Sequence, residues 1–308
     1  MENAQKTNQF TNYGWAAKEL EIRARDMLKI DESKAVIACS SGTAALHAML
    51  WGIQRQDGSL RIGTQDFTFA SNSLGPAQGP IVADMRADFN IDLDDQYIDQ
   101  ANLLIVTNVF GHLQNFEYIS KHGFPYIIFD NAATPYTFLD GSNSCNYGCG
   151  SYISLHHTKP LGFGEGGLAI IDREYEEATR IATNFGIIDE QFNERSGNYK
   201  ISEVNAAAIL QWWDQFDIET LATQFKDNYY KLMYELRDVE GKAYAHYSED
   251  ETFFPNCYPF FPDRDIPEEF SNKYEIKKYY KPLRGFKISN YFYDKIKCFA
   301  LTEGINFG

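Results

Sequence analysis

Short apolar runs, separated by helical or loop segments, recur along the first half of this chain. They are Lys34–Cys39, Leu60–Ile62, Pro80–Ala83, Leu103–Thr107 and Tyr126–Phe129. Apolar strands that alternate with helices argue for an α/β architecture with a mainly parallel central sheet. Ligands of such sheets collect outside the carboxyl ends of the strands, which directs attention to the residues just after each run. Trp15–Leu28 reads as an amphipathic helix and Ala44–Trp51 as a second. After Asp130 the texture changes: strands at Ser151–Leu155 and Leu168–Ile171 flank a Gly-rich turn, followed by helical patterns over Arg173–Phe185 and Ser202–Arg237. Beyond Val239 the chain is rich in Tyr, Phe and Pro. The reading is a large α/β domain over residues 1–238 and a smaller α+β domain over 239–308.

A chain of 308 residues with 44% hydrophobic content can bury a real core, which excludes wholesale disorder. With 43 acids against 28 bases, a net charge of −15, it has no general attraction for nucleic acid or anionic membranes. Any phosphate must therefore be held by a local site. Met1–Phe10 is polar and lacks the apolar stretch of a signal peptide. No run approaches the roughly 20 apolar residues that span a bilayer. Cys39, Cys145, Cys149, Cys257 and Cys298 are scattered, and no second pair completes a zinc pattern. Free thiols in a reducing cytoplasm, with no metal site, are the expectation.

Several segments can carry chemistry. Ser40-Ser41-Gly42-Thr43 joins a strand to a helix, where free N–H groups and a hydroxyl can hold an anion. Simple helix capping accounts for the same segment. Asp130 follows an apolar strand, where it can cap a helix or keep a heterocyclic nitrogen protonated by ion pairing. Lys159 lies between His156-His157 and Pro160, beside a Gly-rich turn, a setting that suits a phosphate or an imine-forming amine. Neighbouring His residues on an extended chain point to opposite faces, which counts against a metal pair. Gly162-Phe163-Gly164-Glu165-Gly166-Gly167 matches the dinucleotide fingerprint letter for letter. It leads into a strand instead of a helix, so it reads as a tight strand connection. Ser202 is placed to cap the helix that follows Gly197–Ile201.

In this order the segments resemble the DegT/DnrJ/EryC1/StrS family of sugar aminotransferases, which use pyridoxal 5'-phosphate (PLP). The matching pieces run from Ser41–Leu46 through Thr68-Phe69, Asp84, Gly111 and Asp130–Ala132. They continue through Ser154, Lys159 and Gly164–Gly167 to Asn198–Lys200, Ser202-Glu203 and Tyr279–Leu283. The resemblance implies a PLP enzyme of aspartate-aminotransferase-like fold, called fold type I. Lys159 would be joined to the cofactor and carry protons, and Asp130 would hold the pyridine nitrogen protonated. Phe69 would lie over the ring, with Gly42, Thr43 and Ser154 cradling the phosphate. Asn198 would reach the phosphate of a partner subunit, making a homodimer with a shared site.

The implied reaction is amino transfer from L-glutamate to a nucleotide-linked keto-sugar, with a dTDP-4-keto-6-deoxyhexose the specific expectation, in amino-sugar and surface-glycan synthesis. Amination at C3, a related PLP sugar dehydratase, or a non-catalytic nucleotide-sugar-binding homologue are the alternatives. A subgroup of the fold that dehydrates at C3 has His in place of the lysine, and Lys159 argues against that chemistry. Where relatives carry Gln or His three residues after the cofactor aspartate, this chain has Ala133, so that contact is lost or supplied by another residue such as Asn131. The chain is also shorter than typical members. A last helix after Phe299–Ile305 is expected to be missing and the small domain abbreviated.

Overall fold

A computed structural model describes residue 8 and residues 12–94, 97–243 and 252–302. Helix α1 (Trp15–Leu28) buries Ala16, Ala17, Leu20, Ala24 and Leu28, the one-face spacing of a helix. Its first N–H groups receive the buried Glu203 carboxylate, at 2.7 Å from Ala16 and 3.2 Å from Ala17. Strand β1 (Lys34–Cys39) leads into α2 (Gly42–Asp57), followed by β2 (Ile62–Gln65), β3 (Ile81–Ala83) and β4 (Leu103–Thr107). Then come α3 (Phe116–Ser120), β5 (Tyr126–Asp130), a small hairpin of β6 (Phe138–Leu139) and β7 (Ser142–Asn143), β8 (Gly150–Ser154) and β9 (Gly167–Asp172).

The central sheet has seven strands in the order β1-β9-β8-β5-β4-β2-β3. The pairs β8-β5, β5-β4, β4-β2 and β2-β3 are parallel, while β9 runs antiparallel to both β1 and β8. Six strands therefore share one direction, so their carboxyl ends form one edge. The strand expected at Leu60–Ile62 lies instead at Ile62–Gln65. Polar Thr64 and Gln65 are buried there because Thr64 donates to the Ile105 carbonyl at 3.0 Å and Gln65 accepts from the Thr107 N–H at 3.0 Å.

After β9 come α4 (Glu176–Thr183), α5 (Glu203–Trp213) and α6 (Ile218–Glu235). The single helical pattern expected over Ser202–Arg237 is two helices. Asp217 leaves helical geometry and accepts from the Thr220 N–H at 2.8 Å, starting a new helix where the apolar periodicity alone runs on. Two other expected helices also differ at their ends, α2 running on to Asp57 and α4 stopping at Thr183, while α1 has the expected bounds.

The remaining elements are β10 (Gly241–Ala243), β11 (Cys257–Pro262), α7 (Glu268–Lys273), β12 (Ile276–Lys277), α8 (Lys287–Lys295) and β13 (Lys297–Ala300). They build an antiparallel four-stranded sheet, β10-β11-β13-β12. Phe253, Tyr258 and Phe299 join Phe225 and Tyr229 of α6 in one core with the first helices. Two carboxylates tie this sheet's loops to the large sheet. Asp66 accepts from the N–H groups of Arg284 at 2.5 Å and Phe286 at 2.7 Å, and Asp84 from those of Ile288 at 3.0 Å and Ser289 at 2.9 Å. Residues 303–308, on which the expectation of a missing terminal helix falls, lie outside the described residues. No helix among the described residues is long and apolar enough to cross a membrane.

Candidate functional site

The carboxyl edge of the large sheet opens into a cavity of about 360 Å³, and nearly every segment singled out from the sequence contributes to it. Gly42 and Thr43 enter from the N-terminus of α2, where the Ser41 side chain accepts from the Ala44 N–H at 3.0 Å. Ser154 closes the end of β8 opposite them. A Cβ on Gly42 would sit 3.1 Å from the Ser154 Cβ, and one on Gly167 only 2.3 Å from the Ser41 carbonyl. Glycine at both positions lets β8, β9 and the helix start close on one another, leaving N–H groups of the first turn directed at the cavity.

The connection from β8 to β9 is a set of nested turns: Lys159 N–H donates to the His156 carbonyl at 2.8 Å, and Gly162 N–H to that of Lys159 at 3.0 Å. Gly164 sits at φ +72°, a conformation glycine adopts freely. This turn leaves Lys159 half-buried at the cavity wall. It also corrects the expectation for His156 and His157. The chain is not extended there, so their rings lie together, 4.1 Å between centroids, with His156 3.5 Å from Glu165. Among the described residues no group of His, Cys, Asp or Glu is placed to hold a metal ion, and all five cysteines are free thiols.

The floor is built by register. Thr107 of β4, Asp130 of β5 and Tyr152 of β8 pair side by side across three parallel strands. The Asp130 carboxylate, 2% exposed, accepts from the Ala132 N–H at 3.0 Å and the Thr107 hydroxyl at 3.1 Å. Burial pushes its pKa up. Hydrogen bonding by Tyr152 and Ala132, the charge of Lys159 and hydrogen bonding by Thr107 oppose that rise. Burial pushes the Lys159 ammonium the other way, down from its ordinary value, against the attraction of Asp130. The cavity thus pairs a buried acid with an amine eased toward its neutral, nucleophilic form.

Phe69 stands at the rim, 60% exposed. Asn198 does not line the cavity. It is exposed on the segment that bridges to Asn184, two residues from the Lys200–Cys39 bridge at the end of β1. Ala133 is buried in the cavity wall. Asn131 does not take over the contact that Ala133 lacks: next to Asp130 on an extended backbone it points the other way. Its amide donates to Ser151 at 2.8 Å and accepts from Asn108 at 2.7 Å. Sequence reasoning missed Ser71, Thr107, Asn108, Tyr152 and Asn256 as lining residues. A polar residue closing an apolar run, as at Thr107 and Asn108, was a readable signal; Tyr152 inside a strand was not. A larger, more open groove of about 660 Å³ beside Lys29, Glu219 and Lys226 brings together no comparable set of groups.

The protein Rv3402c of Mycobacterium tuberculosis is 29% identical over 233 residues, 67% of this chain and 54% of its own length. The chain thus spans about half the length of the curated relatives it matches. Helicobacter pylori PseC, an aminotransferase involved in the biosynthesis of pseudoaminic acid, superposes with a TM-score of 0.79 at 15% identity, covering 96% of this chain and 88% of that one. The PLP-form of Streptococcus pneumoniae Spr1654 gives a TM-score of 0.80 at 17% identity, covering 99% and 91%. Sugar aminotransferase CalS13 from Micromonospora echinospora gives 0.79 at 16%, covering 97% and 90%. The fold is therefore the α/β fold type I that the sequence resemblance implied. Residues 1–296 match the family description as one continuous stretch, and the chain belongs to the DegT/DnrJ/EryC1/StrS aminotransferase family.

Proposed function

We propose that this protein is a PLP-dependent aminotransferase that moves an amino group from L-glutamate to a nucleotide-linked keto-sugar, with a dTDP-4-keto-6-deoxyhexose as acceptor. The observation that carries the reading is one cavity that joins Lys159, the buried Asp130 carboxylate and the Gly42-Thr43 helix start facing Ser154. These residues fit PLP. Gly42 lines the cavity where a Cβ would press on Ser154, and the buried Asp130 carboxylate lines the same cavity. Relatives of the same fold include Spr1654 in a PLP-form and a PMP-form.

Each residue has a role that its surroundings support. The α2 N-terminus, with Thr43 and Ser154, would bind the phosphate through backbone dipoles and hydroxyls, which suits a chain of net charge −15. Asp130 holds the proton of the ring nitrogen. Lys159, with its ammonium destabilised by burial, would hold the cofactor through its amine and carry a proton to and from the donor's α-carbon. PLP supplies the electron sink that makes the donor's α-carbon acidic. Phe69, at the rim, would cover one face of the ring. Asn198, outside its own cavity, serves the phosphate site of a second copy, so the working unit is a homodimer in the cytoplasm.

The test is conversion of the acceptor. The purified protein with PLP, glutamate and a panel of nucleotide 3-keto- and 4-keto-sugars should give 2-oxoglutarate and an amino-sugar product whose mass and aminated carbon are read directly. Amination at C3 alone would replace the 4-keto assignment. PLP uptake without transfer to any keto-sugar would overturn the acceptor class.

A further inference from the structure

The floor of the cavity is a one-way chain of hydrogen-bond donors that ends on Asp130. The Tyr152 hydroxyl donates to Asn72 Oδ1 at 2.7 Å. That fixes which way round the Asn72 amide lies, so its Nδ2 faces Thr68 Oγ1 at 2.8 Å, Thr107 Oγ1 at 3.1 Å and Asp130 Oδ2 at 3.4 Å. Thr107 in turn donates to Asp130 Oδ2 at 3.1 Å, and the Ala132 N–H to Oδ1 at 3.0 Å. Thr68, Asn72, Thr107, Asp130 and Tyr152 are all buried, so water does not scramble these directions. An ionised carboxylate only accepts, whereas a protonated one must also donate. Both Asp130 oxygens face donors, so the chain matches the anion, which burial on its own would disfavour.

We propose that Tyr152 is a positioning residue that, directly and through Asn72 and Thr107, keeps Asp130 ionised and so sets the cavity to receive a protonated ring nitrogen. This rests on the functional reading above. An asparagine amide offers Thr68 and Thr107 donors or an acceptor according to which way round it sits. Without the Tyr152 hydroxyl, Oδ1 keeps only the long contact from the Ser71 hydroxyl at 3.4 Å. The amide then turns, and Thr107 donates to it instead of to Asp130. Tyr152 also faces Asp130 directly, and the other groups facing it are Lys159 from the β8–β9 connection and Tyr280 from the segment before α8. Lys159 also favours the anion. Tyr280, neutral at ordinary pH, adds no charge.

The test is a carbon-13 NMR titration of side-chain carboxylates in the cofactor-free protein, with Asp130 identified by the signal that Asp130→Asn removes. Tyr152→Phe keeps the ring and should raise the Asp130 midpoint by about one pH unit, with PLP affinity falling about tenfold. In an Asn72→Ala background the same change should add less than it does alone, because only the direct Tyr152–Asp130 interaction is then left to lose. An unchanged midpoint in Tyr152→Phe, or shifts that simply add in the double variant, would overturn the proposal. If Tyr152→Phe does not fold, Thr107→Ser and Thr107→Val decide: the serine should titrate like the parent and the valine higher, and equal midpoints would overturn it. A parent that titrates as expected yet takes up no PLP would leave this chain intact and sink the functional reading instead.

Discussion

Two buried aspartates show how the same side chain serves different ends. Asp66, fully enclosed, receives the backbone N–H groups of Arg284, Gly285 and Phe286. Asp130, equally enclosed, receives one backbone N–H and otherwise side-chain donors carried on neighbouring strands. Backbone donors come from the segment they hold, so Asp66 fastens residues 284–286 and the start of α8 to the large sheet. Side-chain donors leave one side of Asp130 open to the cavity. A buried carboxylate saturated by main-chain N–H groups is a structural tie; one held by side chains at a cavity floor is available for chemistry.

Exchange of roles between these two residues would break that comparison. The largest effect is expected from Asp130→Asn, which should cut amino transfer by about a hundredfold to ten-thousandfold while leaving the fold intact. Its stability carries a sign. Burial raises the Asp130 pKa, so the folded chain holds that proton more tightly than the unfolded chain. The stability this contributes is complete below the ordinary carboxylate range and is lost as pH rises through the raised value. Asparagine is neutral throughout, so in cofactor-free protein the variant should gain on the parent as pH rises. Urea midpoints over a pH series check this, and parallel curves would refute it.

Asp66→Ala should do the reverse. It removes the carboxylate that holds three part-buried N–H groups, at a cost of about 3 kcal/mol, while PLP uptake per folded molecule stays unchanged. Denaturation midpoints paired with cofactor stoichiometry separate the two effects. A stable but inactive Asp66→Ala would erase the distinction. The smallest effect belongs to Ser41→Ala, which removes the cap of α2 and should cost about 1 kcal/mol. A weaker phosphate grip should accompany it, read as a modest rise in the PLP dissociation constant that glycine at the same position largely avoids.

The cavity's composition was partly legible because several signals are local. An apolar run ending in Asp130, a glycine-rich turn after Lys159, and Ser-Gly-Thr between strand and helix each lie within a few residues. What escaped depends on pairings distant in sequence. Tyr152 reads as an ordinary strand residue, and only the register of β8 beside β5 puts it next to Asp130. Asn72 reaches the same floor from a turn 58 residues away from Asp130. The break between α5 and α6 was hidden because the helical apolar spacing continues across Asp217. The stacking of His156 on His157 was missed because an extended backbone was assumed where the chain turns.

The central claim is that Lys159 is the amine that takes the cofactor above Asp130. The direct measurement is to incubate the protein with PLP, reduce with borohydride, digest and map the modified peptide by mass. The account predicts one phosphopyridoxyl group per chain, on Lys159. Labelling spread over surface lysines, or none at all, would contradict it.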